Sequence, residues 1–238
     1  MTREKQLIEA KIDSVYRQIR DNIIRGRWAA GWRINQREVA VQLECSRMPI
    51  REALIRLAAE GLVVSRPNRG SVVAPLSIAD MIEVYSAREA LEPLLAKEGA
   101  RKHEPLDILH MERILDAQRE VVERGDAMAF LPLDRQFHLT LYRASSYLYI
   151  YGIVERLLDR AERYRHMYVS SPEHLLRSLS EHRTILLAVK NHQADNVADL
   201  TLNHVAKGRE TLVGLIATEE TLAGVDLQQK GIAHESTN

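Results

Sequence analysis

The sequence predicts a mainly α-helical protein of two domains, a winged helix-turn-helix over residues 1–76 and then an all-helical antiparallel bundle. Two short helical patterns meet at a tight turn and precede a hairpin pattern, whereas the periodicity beyond residue 76 is helical with no convincing strand. A chain of 238 residues with 45% apolar content is long enough to bury a core in each domain.

An amphipathic helix over about residues 6–25 comes first. Its aliphatic residues recur on one side, Gly26 follows as a stop signal, and the apolar side predicts packing behind the helix pair. Trp28 and Trp32 flank Gly31 in the connection. We expect both to be buried anchors, because no aromatic ladder for single-stranded bases surrounds them.

The first helix of the pair begins after Asn35, an N-cap residue with Glu38 three positions later, which is a variant of the capping box. Residues 44–46 form the turn that follows it. Its apolar side is formed by Val39, Ala40 and Leu43.

The second helix begins after Ser46, which can cap it, and Pro49 lies in its first turn, where a missing N–H costs little. Gly61 ends it. Arg47 and Arg51 are four residues apart and share a face that the major groove of DNA can receive. The buried side is predicted to be Ile50, Ala53, Leu54 and Leu57.

Two predicted strands at residues 62–66 and 71–74 flank a turn of the kind that closes a hairpin, which predicts the wing. Gly70 lets the backbone approach a phosphate or the floor of the minor groove, and Arg66 and Arg69 supply charge beside it. The alternative for the whole segment is a helix pair of a larger bundle with solvated arginines.

The charge is divided between the two domains. Residues 1–76 hold 14 lysines and arginines against 8 acidic residues, whereas residues 77–238 hold 19 against 25. A basic first domain followed by an acidic second domain favours double-stranded DNA as the partner of the first domain.

Three further features limit the class of protein. The single cysteine, Cys45, excludes an internal disulfide framework and suits a reducing cytosol. No apolar run approaches the roughly 20 residues of a membrane span, and no signal-peptide pattern follows the first residues. We expect a soluble, cytoplasmic protein.

The second domain is predicted to span residues 77–223, with a tail over residues 224–238 that lacks periodicity and is expected to be frayed. Pro93 predicts a kink or a break in the first helix of this domain. The predicted helices lie near residues 78–102, 104–124, 127–145, 147–169, 172–191 and 194–217.

A metal hypothesis arises within the bundle. Asp134 and His138 are four residues apart on one helix, so both side chains can reach the same point, and His182 and His204 follow on later helices. Three imidazoles and a carboxylate suit zinc, nickel or another first-row divalent ion. The alternative is that each histidine is an ordinary packing or surface residue.

With these residues in view, the chain resembles the GntR family of bacterial transcription regulators, and within it the FadR-type branch with the FCD effector domain. The Arg-Glu-Ala-Leu run at residues 51–54 and the later Asp-x3-His motif with two histidines carry the resemblance, which covers roughly Val15 to Leu212.

The resemblance implies that Arg37, Arg47 and Arg51 contact operator DNA, with Gly70 at the wing tip and Arg69 beside it. Met48 is also a predicted DNA-contact position, and it stands where family members often carry a small hydroxyl residue after the first recognition arginine. The implied metal ligands are Asp134, His138, His182 and His204.

The resemblance also places Arg88 near the carboxylate of a bound ligand, while the alternative is a surface arginine paired with Glu92. We therefore expect a ligand-responsive repressor, not an enzyme, that binds a palindromic operator as a homodimer and senses a small organic acid at the metal. The alternatives are a metal-dependent hydrolase, which lacks a recognisable motif here, and a constitutive DNA-binding protein with a structural metal.

Overall fold

The computed structural model describes residues 3–66, 70–168 and 172–235. Within these ranges the chain forms nine α-helices and three short strands, and it divides into two compact units, residues 1–77 and 78–238. No helix in the described ranges is long and apolar enough to span a bilayer.

The first unit combines three helices with a small antiparallel sheet in the order β1-β3-β2. Its elements are α1 (Arg3–Ile24), β1 (Arg33–Ile34), α2 (Gln36–Gln42), α3 (Arg47–Ala59), β2 (Val63–Arg66) and β3 (Gly70–Val73). Strand β1 was not expected, since two residues are too few for an alternating pattern. It forms because Arg33 and Ile34 pair with Val72 and Ser71 of β3.

One apolar core joins the elements of this unit. Ile19 of α1, Leu57 of α3 and Val73 of β3 are all buried in it, so α1 packs behind α3 as the sequence predicted. The rings of Trp28 and Trp32 stack with centroids 4.4 Å apart. Trp28 packs against the core, but Trp32 is 38% exposed, so the expectation of two buried anchors is wrong for Trp32.

The first unit contains some of the helix-capping interactions that the sequence predicts, but not all of them. Asn35 accepts a hydrogen bond from the Arg37 backbone N–H at 3.0 Å, and its Nδ2 atom donates to Glu38 Oε1 at 2.6 Å. Ser46 occupies the N-cap position of α3, but its side chain makes no capping hydrogen bond, contrary to expectation. Gly61 adopts φ +73°, the left-handed conformation that ends α3.

The regular secondary structure in the described part of the second unit is all α-helix. Its helices are α4 (Ile78–Lys102), α5 (Pro105–Glu123), α6 (Ala127–Ala144), α7 (Leu148–Tyr168), α8 (Pro172–Lys190) and α9 (Ala194–Glu235). Helix α4 continues through Pro93, so the predicted break is absent. Helix α9 continues past residue 217, where the sequence analysis placed its end, to Glu235. Alanine, leucine, glutamate and glutamine favour helix without needing a periodic apolar face.

Helices α4 and α6 pack against each other in the apolar core of the bundle, and both carry residues of the predicted site. Leu95 of α4 and Phe137 and Leu141 of α6 lie in one buried cluster. At Gly99 of α4, an added Cβ would lie 2.1 Å from the Leu141 carbonyl oxygen, so only glycine fits this approach. The same two helices carry predicted site residues, since Arg88 lies on α4 and Asp134 and His138 lie on α6.

Candidate functional site

Asp134 and His138 of α6, His182 of α8 and His204 of α9 meet inside the bundle, and we call them the Asp-His cluster. Each offers one ligand atom, and these atoms all lie within 4.8 Å of one another. The Nε2 atoms of His138 and His204 are 3.2 Å apart, and His182 Nε2 lies 3.5 Å from Asp134 Oδ1. Nitrogen ligands of a tetrahedral zinc ion lie about 3.3 Å apart, so the spacing suits a first-row ion.

Side chains outside the Asp-His cluster orient two of its imidazoles. His182 Nδ1 lies 2.9 Å from Oε1 of the buried Gln118, and His204 Nδ1 lies 2.7 Å from Glu181 Oε2. Because both oxygens are acceptors, each Nδ1 can donate to its oxygen, and that tautomer leaves Nε2 with the lone pair that binds a metal. Both histidines therefore present the nitrogen that a metal requires.

A hydrogen-bonded chain links the third imidazole to Arg88. The Tyr142 hydroxyl donates to Glu92 Oε2 at 2.7 Å, and its oxygen lies 3.3 Å from His138 Nδ1, from which it can accept. Glu92 Oε1 accepts from Arg88 Nε at 2.5 Å. Arg88, Glu92, Tyr142 and His138 thus form a continuous buried chain from α4 to the Asp-His cluster.

The charge states of the cluster's side chains also suit metal binding. Burial lowers the pKa of His182 to about 3 and holds the pKa of His138 well below its usual value, so both imidazoles are neutral at pH 7. Burial opposes ionisation of Asp134, but the adjacent Arg165 charge holds the pKa of this carboxyl below its usual range. His182 Nε2 is buried without a hydrogen-bond partner, a costly arrangement that a cation relieves.

A small cavity adjoins the Asp-His cluster. Its volume of about 30 Å³ holds water-sized groups. Two buried guanidinium groups line it, that of Arg88, stacked over the Tyr85 ring at 4.5 Å, and that of Arg165, which donates to Asp134. Arg88 is paired with Glu92 but is only 4% exposed, so the alternative of a surface ion pair is wrong.

Arg165 is the site residue that sequence reasoning missed. It lies on α7 in a stretch that also contains Arg156, Arg160 and Arg163, and nothing in the spacing distinguishes it from them. Only packing turns this side chain inward, where it is 8% exposed. The sequence analysis also missed Gln118 and Glu181, because packing between helices, and not spacing along the chain, brings them to the histidines.

In the first unit, the residues predicted to meet DNA lie on the surface. Arg47, Met48 and Arg51 are exposed on α3, and Arg37 is exposed on α2. Gly70 is exposed at the start of β3 with φ +79°. Arg69 lies outside the described residues, as does the side chain of Arg66.

Two family models match the chain in this order. Residues 11–73 match the model described as bacterial regulatory proteins, gntR family, and residues 83–207 match the FCD domain. The second match alone covers more than half of the chain and contains the whole Asp-His cluster.

Known proteins match over most of the length. The chain is 32% identical to the HTH-type transcriptional repressor RspR of Escherichia coli strain K12 over 217 residues, covering 89% of this chain and 94% of RspR. It is 34% identical to a probable D-xylose utilization operon transcriptional repressor of Paenarthrobacter nicotinovorans over 139 residues, 56% of this chain and 60% of the relative.

The solved structure of E. coli McbR/YncC has the same fold, with a TM-score of 0.75 at 20% identity, covering 85% of this chain and 96% of that one. The matched families and the relatives are transcription regulators, not enzymes, which excludes the hydrolase alternative. The chain therefore belongs to the GntR family of bacterial transcription regulators, with a ligand-binding FCD domain after its DNA-binding domain.

Proposed function

We propose that this regulator is a repressor that binds a palindromic operator as a homodimer in the bacterial cytosol and responds to a small organic acid bound at a metal in the bundle. The observation that carries the proposal is the buried Asp-His cluster, with its unpartnered His182 Nε2, beside Arg88 in one cavity. The names of RspR and of the D-xylose operon relative support repression.

Asp134, His138, His182 and His204 would hold the metal, and zinc and nickel suit this set of imidazoles and one carboxylate. When bound, such an ion supplies Lewis-acid positions that accept a carboxylate oxygen. Gln118 and Glu181 keep two imidazoles oriented for it.

Arg88 is the group proposed to recognise the acid. Its guanidinium lines the cavity and donates to Glu92, so a ligand carboxylate has to compete with a carboxylate already present. The cavity is small, so we expect Arg88 or its neighbours to move when an organic acid binds. Such movement changes the hydrogen bonds that run through Glu92 and Tyr142 to His138.

The first unit supplies the contacts with DNA. Arg47 and Arg51 on the exposed face of α3 are proposed to read bases, Arg37 to contact the operator from α2, and Arg69 and Gly70 to contact it from the wing. A single helix reads only a few base pairs, so a two-fold dimer on a palindrome is needed to sum two half-sites. The acid regulates this binding only if it has different affinities for the DNA-competent and incompetent states.

A titration of labelled operator tests the proposal, with the operator taken from selection on random duplex DNA. We expect the metal-loaded chain to bind it, and at least one small carboxylic acid found by thermal-shift screening to change that affinity. If the chain binds the operator but no acid in the screen alters binding or stability, a constitutive regulator with a structural metal replaces the proposal.

A further inference from the structure

The exposed face of α3 is centred on two apolar side chains, although it is proposed to meet a highly charged partner. Met48 is 47% exposed and Ile55 is 53% exposed. At about 100° of rotation per residue, they lie within about 20° of each other, seven residues apart along the helix. Both point away from the buried stripe that contains Ile50 and Leu57.

Charged residues flank this ridge on both sides. The same rotation places Arg51 about 40° from Ile55 on one side, with Arg47 beyond it, and Glu52 on the other side. Single exposed apolar residues are common on protein surfaces and need no explanation. Two on one line, beside the arginines already assigned to DNA, form a distinct apolar surface.

We propose that Met48 and Ile55 read thymine by packing against its C5-methyl group in the major groove. This rests on the proposed function, specifically on α3 as the reading helix. The thymine methyl is the apolar group on the major-groove edges of the bases, whereas the arginines match guanine O6 and N7. The flexible thioether of Met48 adapts readily to such a contact.

The spacing makes the inference specific. Seven residues of α-helix rise about 10.5 Å, which corresponds to about three base-pair steps of about 3.4 Å. The recognised sequence should therefore contain two thymines about three base pairs apart, close to the guanines that the arginines select. A polar residue at position 48 or 55 would have no such preference.

Deoxyuridine substitution tests this, because it removes the methyl group and leaves the hydrogen-bonding pattern of thymine intact. The full chain first selects its site from random duplex DNA, and each thymine is then replaced singly. We expect two positions in a half-site at which the wild type loses about threefold to fivefold in affinity, the value of one buried methyl group. Met48→Ala and Ile55→Ala should each abolish this loss at one position and retain it at the other.

The controls separate this inference from the proposed function. Leu187→Ala removes an equally exposed apolar residue from α8 and should leave the uracil response unchanged. Arg51→Ala should lose its guanine preference while it remains sensitive to uracil. If Arg51→Ala behaves in this way but the wild type tolerates uracil at every thymine, the inference alone fails. If the wild type selects no sequence, both fail.

Discussion

The residues of the Asp-His cluster are oriented by hydrogen bonds to side chains outside it. Gln118 and Glu181 engage the Nδ1 atoms of His182 and His204, and Arg165 engages the Asp134 carboxylate. This arrangement resembles the outer hydrogen bonds around protein metal sites, which fix the tautomer of each imidazole and the direction of its lone pair. Its cost without a cation is the buried, unpartnered His182 Nε2.

Removing a ligand should therefore remove the metal. We expect elemental analysis to find a divalent ion in the wild type, and His182→Ala and His204→Ala each to lose it and to unfold at a lower temperature, because an ion held by several helices would stabilise the folded bundle. His110→Ala, at an exposed histidine outside the cluster, should change neither quantity. A wild type that carries no ion after gentle purification, and binds none on addition, would contradict the metal site.

Arg88 has a structural role besides its proposed recognition of an acid. Arg88→Ala should weaken acid binding by about 1.5–3 kcal/mol, the range for a hydrogen bond to a charged group. It should also lower the unfolding temperature, since it leaves Glu92 buried without its cation. Metal content should be unchanged.

A double variant separates the two effects. Arg88→Met combined with Glu92→Met removes both charges and should recover most of the stability, because buried pairs are often replaced by apolar residues at little cost. Acid binding, measured by calorimetry, should not recover. An acid affinity equal to the wild type in this variant would show that the carboxylate is recognised elsewhere.

At the scale of elements, the contact between α4 and α6 depends on one glycine. Gly99→Ala should destabilise the bundle by about 1–3 kcal/mol or more, because backbone atoms cannot move away from the added Cβ as a flexible side chain can. Gly214→Ala is the matched control, since a Cβ there meets nothing within 4 Å and alanine favours a helix. Thermal unfolding followed by circular dichroism should separate the two variants clearly.

Helix α3 should determine which base sequence is preferred, whereas the wing should contribute affinity for any DNA duplex. Arg47→Ala or Arg51→Ala is expected to cost about 1–3 kcal/mol of operator binding and to relax sequence preference. Arg69→Ala should instead weaken binding to all duplexes more evenly. Arg183→Ala, an exposed arginine of α8, should change nothing. Equal losses on operator and random DNA for all three DNA-facing variants would remove α3 from the reading role.

At the scale of the whole molecule, low pH should destabilise the helical bundle. His182 has a folded pKa of about 3, below the usual value of about 6.5. A depressed pKa means that its stabilising contribution is present above about pH 6.5 and is lost as pH falls toward the folded value. Each such histidine adds a slope of up to about 1.4 kcal/mol per pH unit.

This pH dependence can be assigned to one unit. Both tryptophans lie in the first unit, so tryptophan fluorescence reports on that unit, whereas circular dichroism is dominated by the bundle. For metal-free protein, the dichroism transition should shift to lower denaturant between pH 7 and pH 4, and His182→Gln should reduce the shift. An equal shift in wild type and variant would mean that other groups take up the protons.

Local patterns in the sequence were sufficient for much of this protein. Helical periodicity located α4 through α8 to within two residues, and four-residue spacing placed Asp134 beside His138 and Arg47 beside Arg51. These features depend on the geometry of a single helix, which the sequence specifies directly. Strand β1 depends on pairing with β3, and residues 224–235 of α9 lack a periodic pattern in the sequence, so neither was predicted.

The tertiary structure alone decided which side chains surround the site. Gln118 is 64 residues from His182 in sequence, and Arg165 is 31 residues from Asp134. Spacing within one helix cannot reveal such contacts, because they depend on how separate helices rotate and pack against one another. The sequence therefore determined most of the elements, the candidate ligands and the family, whereas only packing decided that Arg88 is buried, that Arg165 joins the site and that a hydrogen-bonded chain connects Arg88 to His138.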